Sequence, residues 1–200
     1  MSLTAVAFNC TLKPSPEPSS CELMLSHFAN AFAKLDVRCE IVRVADFNVK
    51  PGVSSDEGKG DEWPVLRGKV LDADIFVMGT PIWLGHPSSI CQRVLERFDA
   101  LLSEEDDAGR MIAYDRVAVC AVVGNEDGAH HVNAEVYQGL ADVGFTIPAS
   151  GAAYWVGEAY GSVDYKDFDN PPEKTAKAVS TAVRQAVHLA STLKASPYPA

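Results

Sequence analysis

Apolar residues recur along the chain at two periods, and the switches between them divide it into alternating elements. Residues 3–9 (LTAVAFN) form a short apolar run with β-branched and aromatic members, which predicts a strand. In residues 19–35, Leu25, Phe28, Phe32 and Leu35 return at helical spacing. Ser19 and Glu22 have the S-x-x-E spacing of a capping box, so a helix is expected to start there. Residues 37–44 alternate polar and apolar, as an edge or half-buried strand does, and residues 63–73 suit a short helix. Residues 74–81 read as a strand ended by Gly79 and Pro81. A helix with Ile90, Val94, Phe98 and Leu101 on one face should follow, with Pro87 in its first turn. Residues 116–124 are apolar without interruption, the mark of a central parallel strand covered on both faces. A helix from residue 129 stops at Gly144, a broken strand lies within residues 145–157, and a terminal helix carries Val179, Val183, Val187 and Ala190 on one side.

Strands alternating with helices predict an α/β fold: one domain over residues 1–200, with a doubly wound five-stranded parallel sheet in the order 2-1-3-4-5 and helices on both faces. Such a sheet places ligands beyond the carboxyl ends of its strands. That rule selects three loops: residues 9–22 (NCTLKPSPEPSSCE), residues 80–89 (TPIWLGHPSS) and residues 124–131 (GNEDGAHH).

The first loop offers the hydroxyls of Thr11, Ser15, Ser19 and Ser20, the cation Lys13 and a helix N-terminus, where free N–H groups and the helix dipole favour an anion. It has neither the GxxxxGK[ST] of a nucleotide-triphosphate loop nor the GxGxxG of a dinucleotide fold, so a single phosphate suits it better. By itself it reads first as a capped, Pro-rich turn. The second loop exposes Trp83 among Pro81, Ile82, Leu84 and Gly85. A Trp there is covered by a flat ligand, by a neighbouring loop or by a second subunit. In the third, Gly124 and Gly128 allow close backbone approach, and Asn125 suits the edge of a heterocycle. Adjacent His130 and His131 point in different directions on a helix, and no metal site is expected.

Composition narrows the partners. A net charge of -10 disfavours nucleic acid. The acidic stretches, residues 54–62 and 103–109, read as solvated loops. No apolar run approaches the roughly 20 residues that span a bilayer, so membrane insertion is not expected. Residues 1–10 lack a signal-peptide pattern, and the five cysteines are scattered singly, which suits free thiols in the cytoplasm.

Taken together, the three loops resemble those of the flavodoxin-like NAD(P)H-dependent FMN reductases. The likeness runs over roughly residues 3–156 and is most specific in the second loop and its following helix. It implies a flavodoxin-like domain with non-covalent FMN, and NADPH or NADH as co-substrate. By position, Thr11, Lys13, Ser19, Ser20 and Cys21 would hold the phosphate. Pro81, Ile82, Trp83, Leu84 and Gly85 would follow the ribityl chain and ring, and Gly124, Asn125, Glu126, Asp127 and Gly128 would flank the isoalloxazine. The implied activity passes hydride or electrons from NAD(P)H through the flavin to a quinone, flavin or other small aromatic acceptor. No side-chain catalyst is required, His131 being a candidate assistant. The alternatives are an FMN-binding electron carrier without NAD(P)H oxidase activity and a sensor that has lost the cofactor. A homodimer or homotetramer is implied, with Trp83 and the helix from Ser88 at its surface. Residues 51–63 and 158–170 are candidate gates to the site.

Overall fold

The computed structural model describes residues 3–199. Its strands are β1 (Thr4–Asn9), β2 (Arg38–Arg43), β3 (Ile75–Trp83), the two-residue β4 (His86–Pro87), β5 (Val117–Gly124) and β6 (Ala152–Val156). Its helices are α1 (Ser20–Ala33), α2 (Trp63–Leu71), α3 (Ser89–Phe98), α4 (Ala129–Asp142) and α5 (Glu173–Ala195). The parallel sheet runs β2-β1-β3-β5-β6, and β4 pairs antiparallel with the end of β3. Setting β4 aside, this is the doubly wound order expected from the alternation of strands and helices.

Side chains alternate across β1. Val6 and Phe8 face a core shared with α2, α3 and α4, while Ala5 and Ala7 face one shared with α1 and α5. In β5, Val117–Val123 are buried throughout, as a central strand covered on both faces requires. Two continuous hydrophobic layers therefore fix the sheet and leave its carboxyl edge to the loops.

Several boundaries differ from the sequence expectation. Leu35 is 40% exposed because α1 ends at Ala33 with Lys34 as its cap. The strand does not end at Pro81 but continues to Trp83. Gly79 accepts from Cys10 N–H on the β1 side. Pro81, two residues on, faces that same side, where β1 has already left the sheet, so its missing N–H costs no ladder bond. Pro87 is not in the first turn of α3. It pairs with Ile82, and Ser88 caps the helix by accepting from Cys91 N–H at 3.1 Å.

The acidic stretch 51–63 is not a merely solvated loop. The Asp61 side chain is 0% exposed and pairs with the equally buried Arg97 of α3 at 2.8 Å. Arg97 also donates to Lys50 O and Ser54 O, tying the loop to the helix. Burial alone would raise the Asp61 pKa. The hydrogen bonds from Arg97 and from the N–H groups of Glu57, Lys50 and Trp63 hold it well below the usual carboxylate range.

Candidate functional site

The loops leaving β1, β3, β5 and β6 converge at the carboxyl edge round one cavity of about 350 Å³. That lies within the range of about 300–1,000 Å³ usual for small-molecule sites. A cavity of about 440 Å³ opens at the opposite edge among Asp72, Asp74, Arg110, Asp115, Arg116 and Lys194, and it is a charged groove.

The first loop is held rigidly from beneath. Arg43, at the end of β2, donates to Pro14 O at 3.0 Å and Glu17 O at 2.7 Å, and its side chain is only 8% exposed. The same guanidinium pairs with Glu22. The expected capping box is therefore half made. Ser19 accepts from Glu22 N–H at 3.2 Å, but the Glu22 carboxylate turns to Arg43 and to Asn9 Nδ2 rather than back to Ser19. Asp46 anchors the loop's far side, accepting from Ser15 N–H and Oγ–H at 2.6 and 2.7 Å. Thr11, Lys13, Pro18, Ser19, Ser20 and Cys21 then border the cavity at the N-terminus of α1. The Cys21 thiol is buried against Gly79, and burial pushes its pKa far up, which leaves its backbone as the part able to bind an anion.

Pro81, Ile82, Trp83 and Leu84 form a second wall, where β3 turns into β4. The turn has φ of 53° at Leu84 and 78° at Gly85, the positive pair of a tight hairpin. Trp83 is 55% and Leu84 89% exposed. Val123, Gly124, Asn125 and Glu126 form the third wall. Gly85, Asp127 and Gly128 do not border the cavity. Gly128 caps α4 with φ 110°, and a Cβ there would come within 2.8 Å of Gly85 Cα. These two glycines serve the contact between hairpin and helix. His131 also lies off the cavity, bonded to Glu135 at 2.5 Å, while His130 is taken by Tyr154 Oη at 3.1 Å.

The end of β6 supplies Trp155, and the loop after it, expected only as a gate, completes a fourth wall with Tyr160, Asp164, Tyr165 and Lys166. It is locked to its neighbours. Lys166 N–H donates to Ser20 Oγ at 3.2 Å, and Asn125 Nδ2 donates to Gly161 O at 3.1 Å. Trp155 packs against Tyr165 and Phe168, each with ring centres 5.5 Å apart. Tyr165 is fully buried with no partner for its hydroxyl among the described residues, and burial raises its pKa to about 12. Lys166 pairs with Asp164 and, at 3.6 Å, with Asp167, and these carboxylates raise its pKa. The signal for this wall was topological. The loop leaves the same sheet edge as the other three and carries a cation and three aromatic residues.

The cavity thus joins a helix N-terminus, hydroxyls and two lysines to indole and aliphatic faces. This donor set suits a phosphate monoester attached to a flat ring, and Arg43 already neutralises the nearby Glu22. A family model described as NADPH-dependent FMN reductase matches residues 4–161. The chain is 32% identical over 208 residues to an 8-demethyl-8-aminoriboflavin-5'-phosphate synthase of Streptomyces davaonensis, covering 99% of this chain and 81% of that one. It is 37% identical over 169 residues to a Mycobacterium bovis protein named divalent metal cation transporter MntH, and spans only 25% of that protein's length. Among solved structures, RosB with bound 8-demethyl-8-formylriboflavin-5'-phosphate superimposes with a TM-score of 0.90 at 32% identity, covering 98% of this chain and 82% of that one. An NADH:FMN oxidoreductase at 16% identity shares the fold, with a TM-score of 0.63 over 98% of this chain and 92% of that one.

Proposed function

The chain belongs to the NADPH-dependent FMN reductase family, as an FMN-dependent oxidoreductase that uses NAD(P)H, and we propose that FMN sits in the cavity at the carboxyl edge of its sheet. The observation that carries this reading is the meeting of Lys13 and Lys166 with the α1 N-terminus in a cavity that also has Trp83 and Trp155 on its walls. Ser19, Ser20 and the first-turn N–H groups of α1 would hold the phosphate, with the lysines offsetting its charge. Pro81, Ile82, Trp83 and Leu84 would lie along the ribityl chain and ring, and Gly124, Asn125 and Glu126 beside the isoalloxazine.

When bound, FMN supplies hydride acceptance from NAD(P)H and onward transfer to a small aromatic acceptor such as a quinone or a free flavin. The chain's own part is to orient and to exclude water. Asn125, fixed to Gly161, keeps the third and fourth walls together. The buried Tyr165 stays protonated and presents no charge beside the ring. His131 has no place in this scheme, because it faces Glu135 away from the cavity. Trp83, Leu84 and Tyr160 leave apolar surface at the cavity mouth, which supports a homodimer or homotetramer whose second copy covers them. Light scattering on a size-exclusion column tests that assembly. Five free cysteines, four of them buried, support work in the reducing cytoplasm.

A second reading treats the flavin as substrate. It is favoured by likeness along 99% of the chain to a synthase named for a riboflavin-5'-phosphate product. One experiment separates the two: the purified protein's visible spectrum with and without NADPH under anaerobic conditions, followed by mass analysis of the released flavin. Bleaching with release of unaltered FMN supports the reductase. A flavin changed in mass supports the synthase-like reading, FMN that does not bleach supports an electron carrier, and failure to take up FMN rejects the cavity assignment.

A further inference from the structure

Three metal-ligating side chains meet beside the hairpin, outside the cavity already described. Glu135 lies one turn beyond His131 on α4, so the two share a helix face. His86 comes from β4, carried there by the tight turn at Leu84 and Gly85. The packing of Gly85 on Gly128 fixes that turn against the start of α4. The result is a triangle whose donor atoms all lie within 4.8 Å of one another. Glu135 Oε1 is 2.9 Å from His86 Nδ1 and 2.5 Å from His131 Nε2, and the two imidazole rings cross edge to face with centres 4.9 Å apart.

We propose that His86, His131 and Glu135 form a binding site for a divalent first-row transition ion of the Zn²⁺ type. Two imidazoles and one carboxylate are the donors that such ions prefer, whereas Mg²⁺ and Ca²⁺ take oxygen. Donor atoms round a tetrahedral ion with bonds of about 2.0–2.1 Å lie about 3.3 Å apart. The two carboxylate–imidazole spacings need to open by less than about 1 Å to reach that value, and the imidazole nitrogens, within 4.8 Å of each other, move by rotation of half-exposed side chains. The imidazoles are 63% and 56% exposed, which gives an ion direct entry and leaves its remaining position to water.

Ordinary surface ion pairing of histidine with glutamate explains either contact alone and is worth little. What points to an ion is that two imidazoles and a carboxylate from two separate elements place three ligating atoms within 4.8 Å of one another. The bound ion would bridge the β3–β4 hairpin to α4 and so fix the segment that carries Trp83 and Leu84.

The test is calorimetric titration of ZnCl₂ into the full chain, freed of any affinity tag. Saturable binding of one ion per chain is expected. His86→Ala and His131→Ala should each weaken it by at least about 10-fold, the double variant more, and His130→Ala and Cys39→Ser should leave it unchanged. Circular dichroism of each variant confirms that it is folded. In hydrogen exchange, Zn²⁺ should slow residues 82–87 of the wild type and not of the double variant. Absence of saturable binding, equal affinity in the double variant, or an equal loss in His130→Ala overturns the site. Binding without protection of residues 82–87 overturns the bridge.

Discussion

Replacing Lys166 by Ala separates recognition of a phosphate from recognition of a ring. Lys166 borders the cavity, and its backbone N–H is fixed to Ser20 Oγ in the first turn of α1, so its ammonium belongs at the anion end of the proposed site. A hydrogen bond to a charged group contributes about 1.5–3 kcal/mol. Here the lysine is shared with Asp164 and Asp167, and its side chain is 30% exposed, both of which reduce its net effect on a phosphate. We therefore expect a loss of about 1–2 kcal/mol, which raises the FMN dissociation constant about 5- to 30-fold. Riboflavin has the same ring and no phosphate, so its affinity should hold within about twofold. Quenching of flavin fluorescence, titrated with both ligands at one fixed ionic strength, reads both numbers. Lys13→Ala should give a smaller FMN-selective loss, because Lys13 is exposed and screened by solvent. An unchanged FMN constant, or an equal loss for riboflavin, would refute the assignment of Lys166 to the phosphate.

Three further substitutions probe how the site is supported. Asp61→Asn leaves the buried Arg97 without its ionic partner, and urea denaturation at pH 7 should show a loss of about 3–5 kcal/mol. The folded Asp61 pKa is depressed, so the wild type holds this stabilisation above the unfolded value of about 3.9 and loses it as pH falls further; the variant's stability should fall less over that acid range. Gly128→Ala puts a methyl 2.8 Å from Gly85 Cα at a φ of 110°, and denaturation should show about 1–3 kcal/mol of destabilisation. Leu84→Asn relieves a left-handed leucine that is 89% exposed, and thermal unfolding of the flavin-free chain should rise by about 2–4 °C.

The sheet was legible because each of its strands announces its own burial. The unbroken apolar run of β5 could only lie between two helical layers, and the alternation of β2 placed it at an edge. Three of the four cavity walls followed from topology and residue chemistry together. The fourth did not, because residues 158–170 have no period. Lys166 reaches Ser20 only through the crossover from β6 to α5, a contact spanning 146 residues. In the sequence Asp61 is one acid among many in a polar stretch. Its partner Arg97 sits on the apolar-patterned α3, and nothing local links the two. Likewise His131 and Glu135 show their spacing in sequence, but their companion His86 is delivered by a strand that extends past Pro81, a residue that ordinarily ends one.

That extension joins the two proposed sites. Had β3 stopped at Pro81, Trp83 and Leu84 would hang on an unpaired loop. Instead Ile82 and Trp83 pair with Pro87 and His86, and the same two-residue ladder holds Trp83 beside the cavity and His86 beside α4. The ladder is short, and a two-stranded hairpin has little stability of its own. Its position depends on what grips it: Gly128 against Gly85 at the turn, and Ser88 bonded to Thr80 Oγ1 and to Cys10 O at the base. One grip holds the turn and the other the base, while the Trp83 and Leu84 side chains stay 55% and 89% exposed. Whatever fixes His86 to α4 therefore acts on the wall that carries Trp83 and Leu84, which is why an ion there should alter flavin affinity without touching the flavin.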